Sequence, residues 1–440
     1  MSLLDWASPI LPDTAKVNAE GHLVIGGCDV VALAAEFGTP LYVFDEATLH
    51  GRCAEFRSEL GDRYPDTLVI YAAKAFINRA LAGILRDEGL GLDVVSGGEL
   101  SIARSVDFPL EKVYFHGNNK SAEEVELALG WGVGRIVVDN LHELGLLQEL
   151  AERAGVVQPI LLRICPGVDV HTHRHIATAA LDSKFGLPIA TGQAEEALRQ
   201  AMAASHIEPL GFHFHLGSLI FDLDPYRQAI ETVFQFAAEM RDDHRFVPTE
   251  FSPGGGFAIQ YTRDAPAPTT AHFAQALTST TLAMCEELGF EPPRLVVEPG
   301  RAIVGRAGVA LYRAGATKEI PGVRKYVSVD GGLADNPRPL IYGSRYEAIL
   351  ASRAGEEVGE RVTIAGKFCE SGDVLVWDAE LPPVSPGDIL ALPVSGAYCL
   401  AMASNYNASL KPAIVLVKDG QPRLIRRRES YQDLIKCDEV

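Results

Sequence analysis

Between residues 66 and 300, short β-branched apolar runs alternate with stretches whose apolar residues recur at helical spacing. The apolar runs are LVIYA (68–72), GLDVV (91–95), KVYF (112–115), RIVVD (135–139), PILLRI (159–164), LGFHFH (210–215), TEFSP (249–253) and RLVVEP (294–299). Between them lie helical patterns such as SAEEVELALGWG (121–132) and NLHELGLLQELAERAG (140–155). Ser121 followed by Glu124 has the form of a capping box, which marks a helix start. Eight strands alternating with helices predict an α/β fold, a (β/α)8 barrel over 42–300. An open doubly wound sheet is the competing arrangement, but its Gly-rich turn after the first strand is absent. Past residue 301 the helical period weakens. Strand-like runs with turn signals follow: KYVSVDGG, RVTIAGKFCESGDVLVW, GDILALPVSGAY and AIVLVKDGQPRLI. They predict an all-β domain of 301–440 that also takes in 1–41, where HLVIGG and TPLYVFD read as strands.

Charge narrows the partners. Lys and Arg number 39 against 58 Asp and Glu, a net charge of −19 over 440 residues. Nucleic acid and anionic membrane surfaces are therefore not expected as partners. The seven cysteines, an odd number without a CxxC pair, predict neither a disulfide framework nor a zinc ribbon. No basic stretch leads into an apolar one at the N-terminus, and no run of about 18 apolar residues occurs, so a cytoplasmic protein is expected.

A barrel draws its catalytic groups from the C-terminal ends of its strands. Here those ends carry Lys74, Asp93 with Ser96-Gly97-Gly98, His116, Asp139, Arg163, His213 with His215, Gly254-Gly255-Gly256, and Glu298 with Gly300 and Arg301. A lysine partly desolvated at a strand end offers a nucleophilic amine, although such a lysine also simply snorkels to water. The triple glycine lets backbone N–H groups approach an anion, or it makes a plain tight turn. Glu298 and Arg301 suit a protonated ring nitrogen and a carboxylate, or form a structural ion pair. His213 and His215 share one side of a strand and invite a metal reading, but no third ligand at suitable spacing is evident. His171, His173 and His175 read more simply as a polar loop. Cys369 beside Glu370 is a candidate proton donor, or a small buried apolar residue. Lysine, glycines and glutamate together point to pyridoxal phosphate.

The stretches YAAKA, HGNNKS, HTHRHIATAALDSKFGLP, HFHLGS, PGGGF, EPGR, DNPRPLIYG, CESGD and GAYCLAMASNYN closely resemble the diaminopimelate decarboxylase family. These are fold-type-III pyridoxal-phosphate enzymes of lysine biosynthesis. The resemblance runs from about residue 25 to 420, in the family's order. It implies a barrel plus a β-domain and decarboxylation of meso-2,6-diaminopimelate to L-lysine and CO2. It makes Lys74 the lysine bonded to the cofactor. His215 would stack on the pyridine ring, and Ser218 with Gly254, Gly255 and Gly256 would hold the phosphate. Glu298 would pair with the ring nitrogen, beside Gly300 and Arg301. Arg301, Arg338 and Tyr342 would bind the substrate's distal carboxylate, and Glu370 its distal amine. Tyr398 would contact both cofactor and substrate, and Cys369 would be the proton donor. In this family the last two loop residues, Cys369 and Glu370, come from the partner subunit, which implies a homodimer with active sites at its interface. Three departures stand out: Leu219 where Gln is usual, Cys165 where Asn is common, and SRYEA in place of the more frequent AYH. Decarboxylases of ornithine, lysine or carboxynorspermidine, and a non-catalytic relative, remain the alternatives.

Overall fold

The computed structural model describes residues 7–168 and 183–439. The histidines at 171, 173 and 175 lie outside the described residues. The chain divides into two compact units. One comprises 53–258 and 268–300, the other 1–52, 259–267 and 301–440.

The first unit is an eight-stranded parallel barrel. Its strands are Thr67–Ala72, Gly91–Val94, Val113–Phe115, Arg135–Val138, Gln158–Cys165, Ile207–His213, Glu250–Gly254 and Arg294–Val297. They pair in chain order, and Leu295 beside Thr67 joins the last strand to the first. Ile70, Tyr114, Val137, Leu161 and Val296, from five different strands, fill the interior as one buried cluster. At the N-terminal ends of the strands, Glu250 accepts a hydrogen bond from Tyr114 at 2.8 Å and pairs with Arg135 at 3.1 Å. That end of the barrel is thus occupied by a satisfied polar group.

Helix starts follow directly from the sequence. Ser121 and Glu124 form the expected reciprocal capping box before the helix Ala122–Trp131, which ends at Gly132 in the left-handed region. Asn140 and Gly155 frame Leu141–Ala154 in the same way. Strand six differs from expectation. It ends at His213, so His215 lies two residues beyond, in the turn toward Gly217.

The second unit is mostly β. Its central strand, Leu41–Asp45, lies antiparallel to Gly308–Ile320 and parallel to Ala413–Lys418. An expected division after residue 41 would cut this strand from its own neighbours. Leu23–Ile25 instead joins a separate small sheet with Lys16–Val17 and Cys28–Asp29. No helix among the described residues is long and apolar enough to cross a membrane.

Leu161 is fully buried in the barrel interior. Leu161→Ala should lower stability by about 2–5 kcal/mol, read as an earlier urea transition by circular dichroism.

Candidate active site

Lys74 sits on a single helical turn, Ala73–Ala75, immediately past the first barrel strand. Its Nζ donates to Asp93 Oδ2 at 2.8 Å, while the side chain stays 37% exposed. Asp93 itself is fully buried. The amine is therefore anchored to Asp93 and still reachable by a ligand. Gly300 keeps the neighbourhood narrow, because a Cβ there would meet those of Ala75 and Ala72 at 3.0 and 3.1 Å.

Lys74 lines a cavity of about 430 Å³ together with His116, Arg163, His213, His215 and Glu298. That volume lies in the range of small-ligand sites, about 300–1,000 Å³. Glu298 accepts from Ser252 Oγ at 2.9 Å and lies 3.1 Å from His213 Nε2 and 3.6 Å from His116 Nε2. Burial pushes its carboxyl up, but His213 and His116 outweigh that and bring the pKa down to about 2. Burial also holds His116 and His215 well below 6.5, and Lys74 and Arg163 depress His215 further. Both are neutral imidazoles around an ionised carboxylate. Arg163 pairs with Asp139 at 3.7 Å and lies over the Phe185 ring at 4.2 Å. His116, His213 and Glu298 bring ligand-type atoms within 4.8 Å of one another, so it is His213 rather than His215 that joins the cluster a metal reading would need.

The triple glycine is shaped for close approach. A Cβ at Gly254, Gly255 or Gly256 would fall 2.4, 2.1 or 2.4 Å from a backbone oxygen. The amides of Gly254 and Gly255 donate to Ser252 Oγ and His215 Nδ1, both at 3.2 Å. The loop therefore also aims His215. Ser218 is half-buried, next to Leu219 at positive φ.

In the β-unit, Arg301 and Arg338 gather around aromatic rings. Arg301 Nη1 donates to Tyr261 Oη at 2.6 Å, and its guanidinium lies 4.5 Å from the Tyr398 ring centre. Arg338, at the start of the helix Arg338–Tyr342, is 2% exposed and donates to Tyr346 Oη at 2.6 Å. Tyr342 is half-buried at the other end of that helix. Cys369 and Glu370 sit on an exposed loop, and no hydrogen bond or ion pair among the described residues joins them to either arginine. The buried Asp373 holds that loop in place. Its carboxylate accepts from Phe368 N at 2.9 Å and from Leu333 N at 2.7 Å.

The family model for the pyridoxal-binding domain of pyridoxal-dependent decarboxylases matches residues 46–305. A diaminopimelate decarboxylase of Bacillus subtilis is 45% identical, over 97% of this chain and 98% of that protein. The chain belongs to the diaminopimelate decarboxylase family. A Mycobacterium tuberculosis member is 40% identical over 99% of both chains. The crystal structure of a diaminopimelate decarboxylase from m. jannaschii, in co-complex with L-lysine, superposes with a TM-score of 0.91 at 36% identity, covering 97% of this chain and 98% of that one. Diaminopimelate decarboxylases are carboxy-lyases that use pyridoxal phosphate, and this chain is one of them by family.

The cavity suits that cofactor. Asp93 Oδ1, His116 Nε2 and His213 Nδ1 are buried without a hydrogen-bond partner among the described residues, beside a reachable lysine amine. Of the expected residues, Lys74, His215 and Glu298 meet at this cavity, and Arg301 and Tyr398 meet in the β-unit. The strand-end rule had pointed at His116, Arg163 and His213 without giving them roles. Nothing in the sequence pattern singled out Tyr261, and Tyr346 entered only as part of the SRYEA departure.

Acid should weaken the fold in two stages. His116 and His215 stay neutral when folded, whereas unfolded histidines bind protons below 6.5, so stability falls from there downward. The contribution of Glu298 is full above 4.5 and is lost as pH drops toward about 2. Urea midpoints of wild type and His116→Gln at pH 7.5 and 5.5 check the first stage, and the variant should lose less between them.

Proposed function

We propose that decarboxylation of meso-2,6-diaminopimelate to L-lysine and CO2, the reaction of this family, is divided among the residues as follows. Pyridoxal phosphate, when bound, supplies an aldehyde for an amine and a ring that accepts electrons. Lys74 would hold the cofactor through its amine, the nucleophile that the first strand end supplies. Asp93 Oδ2 accepts a hydrogen bond from Lys74 Nζ at 2.8 Å and orients it. Glu298, ionised and buried, would hold a proton on the ring nitrogen. His215 would pack on the ring, and Ser218 with Gly254, Gly255 and Gly256 would hold the phosphate. Loss of one carboxyl group leaves a carbon that needs a proton, and the Cys369 thiol delivers it. Glu370 takes the distal amine, and Tyr342 and Tyr398 border the substrate.

Arg338 carries the choice of substrate. A guanidinium that is 2% exposed, with no carboxylate partner among the described residues, is costly to leave unpaired. A distal carboxylate offsets that cost, and a lysine or ornithine side chain does not. Arg301 assists from the neighbouring ring cluster.

Cys369 is exposed, and Leu340, Ile341 and Tyr406 around its loop are exposed apolar side chains. That supports a homodimer in which Cys369 and Glu370 serve the active site of the partner. Formation of a protein amino acid also fits a cytoplasmic location.

Purified protein should be yellow, with an absorbance that borohydride removes, and Lys74→Ala should lack that band. In a CO2-release panel, diaminopimelate should be the only good substrate among the basic amino acids, and Arg338→Leu should lose it. Cys369→Ala should lower kcat at least about 100-fold. Mixing the inactive Lys74→Ala and Cys369→Ala proteins should restore about a quarter of wild-type activity if sites are shared across a two-fold interface. No recovery after subunit exchange would sink the shared site.

A further inference from the structure

We propose that Tyr346 is a specificity-determining residue that, with Tyr261 and Cys399, holds Arg338 in place without cancelling its charge. The inference rests on the reading of Arg338 as the distal-carboxylate group, and goes beyond it to what fixes that group. A buried guanidinium is usually anchored by a carboxylate, which supplies strong bonds but also neutralises it. Here the anchors are neutral. Arg338 Nη1 donates to Tyr346 Oη at 2.6 Å. Its guanidinium lies 4.8 Å from the Tyr261 ring centre and 5.7 Å from that of Tyr346. The two rings meet edge to face at 5.4 Å and 89°, so each braces the other. Ring faces attract a cation through their quadrupole and leave its net charge intact.

The hydrogen bonds run in one direction. Tyr346 Oη accepts from Arg338, so its own hydrogen is free to point at Cys399 Sγ, 3.5 Å away. The Cys399 thiol donates in turn to Ala397 O at 3.7 Å. Burial raises the phenol of Tyr346 and the thiol of Cys399, so both links stay uncharged. The chain ends on backbone, and the only formal charge in it is the guanidinium. Tyr346 occupies Nη1, while Nε is buried with no hydrogen-bond partner among the described residues. The Nε–Nη2 edge can make two parallel bonds to a carboxylate. Tyr346 thus occupies the end-on corner of the fork and leaves the side-on edge for the substrate.

The test separates recognition of the carboxylate from general damage. Tyr346→Phe keeps the ring and removes the hydroxyl. We expect KM for diaminopimelate to rise at least about tenfold, the loss of a hydrogen bond to a charged group. We expect kcat to stay within about twofold, because the bond is made equally in ground and transition states. The cofactor absorbance should not change. The inhibition constant of 1,5-diaminopentane, which has both amines and no carboxylate, should not change either. Cys399→Ala removes only the far anchor and should shift KM in the same direction by less, which keeps the test available if Tyr346→Phe folds poorly. An unchanged KM in both variants overturns the proposal, as does an equal weakening of diaminopimelate and diaminopentane. Arg338→Leu with an unchanged KM would overturn the distal-carboxylate reading itself.

Discussion

A carboxylate sealed inside the barrel has to remain ionised, and much of the barrel site is arranged around that need. Glu298 is 3% exposed, and burial alone would protonate it. A hydrogen bond from Ser252 and two nearby imidazoles, His213 at 3.1 Å and His116 at 3.6 Å, hold it ionised. The cations stand one step away, Lys74 against Asp93 and Arg163 against Asp139. Each anion has a partner, yet the lysine amine remains reachable. A barrel achieves this because neighbouring strands end side by side, so charges from distant parts of the chain meet at one rim.

The β-unit meets a related requirement in another way. Its buried guanidinium at Arg338 is stabilised by phenols and ring faces, not by acids. One unit therefore keeps a negative charge buried beside imidazoles, and the other keeps a positive charge buried beside phenols. In both cases these partners lower the cost of burial without consuming the charge that chemistry or recognition needs.

The barrel was legible because its signals are local and repeated. Apolar runs of about strand length, Ser121 with Glu124, and Asn140 with Gly155 each state their structure within a few residues. Lys74 and Glu298 were legible because strand ends can be counted. The end of strand six was misplaced because HFHLG continues the apolar alternation past the point where the backbone turns toward Gly217. Tyr261 and Tyr346 were not legible. They are 85 positions apart in the chain, and only tertiary packing brings their rings to 5.4 Å. The resemblance named the arginines but not what holds them.

The Asp373 carboxylate fastens the segment that bears Cys369 to the stretch leading toward Arg338. It is so tightly enclosed that side chains at Gly332 and Gly366 would collide with it, at 2.4 and 2.0 Å. Gly332, Gly366 and Asp373 thus make a single packed unit. A side chain at either glycine would displace the carboxylate that ties the donor segment to the recognition segment.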